Sequence, residues 1–236
     1  MYEAQMSWDQ RVAADAAVSE RVAFIRKTYL HVGGAIVAYA IILAALVNFA
    51  PVEWMVKAFS GQIGFLILFL GFMAVSQAAQ YMAQGHFSKP TQYLGLVLYA
   101  AVTAFISWPA VYVCSTFPGY QGILPQAIII TLAIAAGLTL SVFVTKADLS
   151  WMGRGLFILG WLVPAVILAG IIFNFTLGLG FLFLVGLLIC GFILYETSMV
   201  LHHFRTNEYV GAALCLFASI ATLFRIVLSI LMSSRD

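Results

Sequence analysis

The sequence predicts an all-α, polytopic membrane protein with seven transmembrane helices, and three observations carry that reading. Only 8% of the 236 residues are charged, where a soluble domain carries roughly 25%. Hydrophobic side chains make up 64% and the mean hydropathy is +1.05. No core explains this, because a core still needs a solvated surface, so the solvent for most of the chain is lipid. Third, the apolar residues fall in runs of about 20, the length that crosses a hydrocarbon layer ~30 Å thick. The runs lack the period-2 alternation of membrane barrels.

Taken in order, residues 1–27 mix charges of both signs without an apolar run. They read as a cytoplasmic N-terminal tail, not a signal peptide. Residues 28–236 form the transmembrane domain. The expected spans are Tyr29–Phe49, Ile63–Met82, Tyr93–Cys114, Ile123–Val144, Leu156–Phe173, Leu177–Val200 and Val210–Met232. The fifth and sixth need separating, because from Gly155 to Leu201 only Glu196 is charged. One helix of that length would reach about 70 Å, so the run folds back, and Asn174-Phe175-Thr176 with Gly178 is the natural turn.

Orientation follows from lysine and arginine. The tail and the even-numbered loops carry Arg11, Arg21, Arg26, Lys27, Lys89, Lys146, Arg154 and Arg205; the other side holds Lys57 and Arg235. This places the N-terminus in the cytoplasm and the C-terminus outside. Small residues at four-residue spacing, such as Ala133, Gly137 and Ser141, are expected to let helices approach closely. Pro109 and Pro164 fall inside spans, where kinks are expected. The net charge of +2, without a basic cluster, does not suggest nucleic acid. Cys114, Cys190 and Cys215 lie in apolar stretches and read as small hydrophobic side chains.

The polar residues inside the spans are the candidate site. Glu196 is the one acid within a span, and a carboxylate at a bilayer centre costs roughly 2.5–3.5 kcal/mol by insertion measurements. It is expected about four residues from the inner end of its helix, roughly 6 Å deep. There it either reaches the interface or faces the bundle interior as a proton-sensitive switch or cation ligand. Gln77, Gln80 and Gln84, spaced three then four, form one stripe at a similar depth. That stripe either bonds the glutamate or ties helices together. Arg225 is expected about 18 Å further along the membrane normal, too far to pair with Glu196, and to snorkel outward or bond backbone carbonyls. His202 and His203, just past the sixth span, read as a solvated pair with no further ligand to suggest zinc. Motifs for a zinc protease, a serine hydrolase or a phosphate loop are missing, so an enzyme is not expected.

Several stretches resemble the Bax inhibitor-1 (TMBIM) family. They are "RKTY" (Arg26–Tyr29), "KPTQYLGLVLYAAVTAF" (Lys89–Phe105), "FVTKADLSWMGRGL" (Phe143–Leu156, containing Asp148) and "LYETSMVLHHFRTNEYVGAALCLFASIATLF" (Leu194–Phe224). The resemblance implies a seven-helix bundle with its last helix near the centre. In the family, two aspartates in the sixth and seventh spans are taken to form a pH-sensitive gate for a calcium leak. Carried over, the first falls on Glu196 and the second on Ser219. Serine cannot ionise, so the two-carboxylate gate is not present here. The sequence is similar to a bacterial branch, modulators of the membrane protease FtsH, in "ETS" (Glu196–Ser198), Ser219 and the closing "SRD" (Ser234–Asp236).

The resemblance thus implies a bacterial inner-membrane protein that binds FtsH and slows its action on other substrates, with the tail as a handle. The alternative is a pH-sensitive calcium or cation leak using Glu196. A third reading is a structural membrane protein without transport. The expected polar cluster is Glu196, Ser219, Gln77 and Gln80, with Arg225, His202, His203 and Asp148 secondary. No cofactor is expected beyond calcium, for which Glu196 would be the ligand. The expected partners are the lipid bilayer, FtsH, and calcium or protons.

Overall fold

The computed structural model describes residues 12–235. Its elements are α1 (Val18–Phe49), a short α2 (Val52–Phe59), α3 (Gln62–Met82), α4 (Lys89–Thr116), α5 (Ile123–Thr145), α6 (Gly153–Phe173), α7 (Leu179–His202) and α8 (Tyr209–Ser233). All but α2 are long and apolar enough to cross a membrane, and no strand forms among the described residues. The seven expected spans are therefore present. The expected turn is there too: α6 ends at Phe173, and Asn174 takes the left-handed conformation (φ 54°), which asparagine tolerates.

α1 differs most from expectation, starting at Val18 and not near Tyr29. Its buried residues Phe24, Thr28, Val32, Ala35, Tyr39 and Leu43 recur every three or four positions, one face from end to end. Charges on the other faces of the first turns diluted the apolar signal. Upstream, the Ala13 N–H donates to the Phe204 carbonyl at 2.8 Å, and Val12 bridges Arg205 antiparallel. α2 was not foreseen, being too short to span; its Trp54 and Val56 are exposed.

α8 sits at the centre, packed on α7, α1, α5 and α4. Its buried residues include Ala212, Ala213, Leu214, Leu216 and Phe217, which cover more than half of the helix circumference. Tyr39 of α1 and Tyr99 of α4 meet Phe217 edge-on at 6.0 and 6.1 Å. In lipid such contacts act through close packing, since lipid tails are as apolar as the helices. Two glycines set the approach to α3. A Cβ on Gly95 would stand 2.6 Å from the Ala79 carbonyl oxygen, and one on Gly211 2.8 Å from that of Ala83. The stripe of Ala133, Gly137 and Ser141 makes no such approach: all three are exposed on α5, and nothing stands within 4 Å of a Cβ on Gly137. Small residues there face outward because α5 turns its Ala127, Thr131 and Ala135 face inward.

The N-terminal segment and the loops after α3, α5 and α7 meet at one end of the bundle. Lys89 Nζ donates to the Asn207 carbonyl at 2.6 Å, and the Leu149 N–H to Ser198 Oγ at 2.8 Å. Most of the lysines and arginines gather at this end.

Candidate functional site

Ser198 fixes the register of the site. It is fully buried, accepts from the Leu149 N–H, and donates to the Ala147 carbonyl at 3.1 Å. The turn between α5 and α6 is thereby pinned to α7. Thr197 donates back to the Ile193 carbonyl at 2.7 Å, satisfied within its own helix. Between this anchored turn and the packed α7–α8 seam lies Glu196.

The Glu196 residue as a whole is half-buried, but its Oε2 is sealed from the surface and has no hydrogen-bond partner. Ser219, buried on α8, is the hydroxyl that stands beside it. Tyr29 of α1 brings a buried hydroxyl against Thr197 and Thr139, near the same carboxyl. Tyr99 of α4 and Cys215 of α8 complete the surroundings. Cys215 and Ser219 are one turn apart and so share a face. Groups on α1, α4 and α8 thus surround an acid carried by α7. A cavity of about 310 Å³ leads from the loop end to Cys215, lined among others by Gln80, Gln84, His86 and Glu208.

Of the other expected site residues, Gln80 is half-buried on the cavity wall, but Gln77 is exposed on the outer face of α3 and does not join the cluster. Four residues separate Gln80 from Gln84 but three separate it from Gln77, and α3 buries only Ser76 and Ala79 along its length. Arg225 does not snorkel, and no carbonyl accepts from it among the described residues. Its Nε is buried without a partner, and its guanidinium lies 5.5 Å over the Phe72 ring, near Tyr39 and Tyr99. Its place on central α8 explains this: Ala221 and Leu228, about a turn to either side, are buried, and Arg225 as a whole is half-buried. Glu196 and Arg225 make no ion pair.

His202 Nδ1 lies 3.0 Å from the Ser198 carbonyl, which ties it to α7. Exposed His203 places Nε2 3.3 Å from Asp148 Oδ1. Asp148 also accepts the Ser150 N–H at 3.0 Å. That backbone bond, then the Ser150 side chain and His203, hold the Asp148 carboxyl below its ordinary value. This pair braces the loop end and lies apart from Glu196. No group of three or more His, Cys, Asp or Glu is placed to hold a metal among the described residues.

Sequence reasoning missed Tyr29, Tyr99 and Cys215 as neighbours of the acid. The one available signal was the four-residue spacing of Cys215 and Ser219. Nothing along the chain shows that α1 and α4 bring tyrosines to the same depth.

The fold and site define a polytopic helical membrane protein with an acid enclosed between its last two spans. The chain belongs to the Bax inhibitor-1 family: residues 21–236 match the family model described as inhibitor of apoptosis-promoting Bax1. It is similar to Bax inhibitor 1 of Schizosaccharomyces pombe, 29% identical over 225 residues, 92% of this chain and 79% of that one. It is also similar to protein lifeguard 4 of Mus musculus, 30% identical over 215 residues, 89% and 85% of the two chains. A Golgi anti-apoptotic protein of vaccinia virus is 36% identical over 107 residues, 45% of each. No solved structure matches.

Proposed function

We propose that this protein is a proton-sensitive cation leak whose gate is Glu196. The observation that carries the reading is the sealed, unpartnered Glu196 Oε2 beside Ser219, with a polar-mouthed cavity reaching Cys215 next to it. An enclosed carboxylate without a fixed cation beside it changes charge with a single proton, and that charge decides whether a cation is attracted into the bundle. The mouth residues Gln80, Gln84 and Glu208 offer oxygens to a partly hydrated ion. Calcium enters as cargo: a resident ion takes 6–8 oxygen ligands, and one carboxylate among neutral hydroxyls is too small a set. Purified protein in liposomes tests this. Wild type should pass cations in a pH-dependent manner, and Glu196→Gln should remove the pH dependence. Absent flux, or flux indifferent to that substitution, rejects the gate.

A second reading, modulation of the membrane protease FtsH in a bacterial inner membrane, is favoured by the loop end. There the segment around Ala13 is strapped to Phe204 and Arg205, beside the basic loops. On this reading the N-terminus is cytoplasmic and the C-terminus outside. Co-purification with FtsH of the intact chain and of one lacking residues 1–17 tests it. Association of the intact chain alone supports the handle; association of neither form rejects it.

A further inference from the structure

A groove of about 250 Å³ runs between α1 and α4 on the outer surface of the bundle. Buried Ala35, Leu96 and Ala100 form its floor, and exposed Leu30 and Val97 its rim. Gly34 keeps it open: a Cβ there would meet nothing within 4 Å. From His31 to Ala38 it follows α1 for about 10 Å, roughly a third of the hydrocarbon thickness. Its walls are apolar except at the mouth.

The mouth carries cations and rings. His31 Nε2 lies 3.0 Å from the Tyr93 hydroxyl, and its ring is 5.1 Å from that of Tyr209. Lys89 Nζ stands 4.3 Å and Lys27 Nζ 5.5 Å over the Tyr209 ring. Lys89 is held in place by the Asn207 carbonyl and by Gln92 Oε1 at 3.2 Å. Among the described residues neither ammonium has a carboxylate within ion-pair distance. Two uncompensated lysines and two tyrosines therefore cap an apolar trough that opens sideways into lipid.

We propose that this groove binds one anionic phospholipid from the surrounding bilayer, with an acyl chain along α1 and α4 and the phosphate at Lys27 and Lys89. Interfacial tyrosines and basic pockets between spans are the chemistry that holds such headgroups. A zwitterionic lipid brings its own ammonium toward the lysines and so fits worse. A free phosphate gains nothing from the trough.

The test is native mass spectrometry of the purified full chain in detergent, titrated with phosphatidylglycerol, phosphatidylcholine of the same chains, or glycerol phosphate. Wild type should retain phosphatidylglycerol about tenfold better than phosphatidylcholine, and glycerol phosphate not at all. Lys27→Gln with Lys89→Gln should abolish that preference. Gly34→Leu should weaken both lipids, while its neighbour Gly33→Leu, outside the groove and also facing open space, should change neither. Equal retention of the two lipids by wild type overturns the proposal. So does a preference that survives loss of both lysines, binding of the headgroup alone, or a Gly34→Leu variant that binds like wild type.

Discussion

Replacing Gly95 with alanine puts a methyl carbon 2.6 Å from the Ala79 carbonyl oxygen, 3.1 Å from Met82 Cβ and 3.2 Å from the Ala83 nitrogen. Two of these three atoms are backbone of α3, so no side chain can swing aside and the helix itself must retreat. Over-packing of this kind costs about 1–3 kcal/mol, and the rigid contacts place it near the upper end. Alanine recovers about 1 kcal/mol as a better helix former than glycine, leaving a net loss of roughly 2 kcal/mol. Gly137 is the matched control, because a Cβ there meets nothing and only the propensity gain of up to about 1 kcal/mol remains. The two substitutions therefore have opposite signs, although both are Gly→Ala within a span. Reversible unfolding in mixed micelles measures each. If Gly95→Ala proved as stable as Gly137→Ala, the close approach of α3 and α4 would be wrong, and with it the position of Gln80 on the cavity wall.

Ser198→Ala leaves the Leu149 N–H without its acceptor, at a cost of about 1–3 kcal/mol; a lowered thermal midpoint and faster proteolysis of the 146–152 turn are the expected readouts. Asp148 has a depressed folded-state value, so its contribution is complete above the ordinary carboxylate value of 3.8 and disappears as pH falls through the lower folded value. A titration of its carboxyl by NMR should show a midpoint below 3.8, and a midpoint at or above that value contradicts the brace. Arg225→Met removes a buried cation whose Nε has no partner and keeps most of the packing over Phe72. Because an unpaired polar group is costly away from water, the thermal midpoint should rise; a fall would show that the guanidinium has acceptors.

The seven spans were legible because crossing lipid demands length and apolarity, and both are properties of single segments. The start of α1 was not, since Phe24 and Thr28 face inward while Arg21, Arg26 and Lys27 on other faces lower the average. α2 escaped because eight residues cannot span. At the site, the enclosure of Glu196 was one of two alternatives the sequence left open, and the adjacency of Ser219 came only from the family resemblance. Which of Gln77, Gln80 and Gln84 line the cavity, and where Arg225 goes once α8 is central, depend on helix rotation and neighbours. No run of residue types encodes either.

The central place of α8 bears on the order in which the molecule is made. Translation delivers this helix after the other six spans described, so the surfaces of α1, α4, α5 and α7 that it covers are already in the bilayer when it arrives. Those surfaces include Tyr29, Tyr99 and Glu196, so the unfinished protein must shelter polar groups in a slot that nothing yet plugs. The arrival of Tyr209–Ser233 is then the step that locks the other spans, and a ribosome stalled before it leaves an assembly with an open seam down its middle.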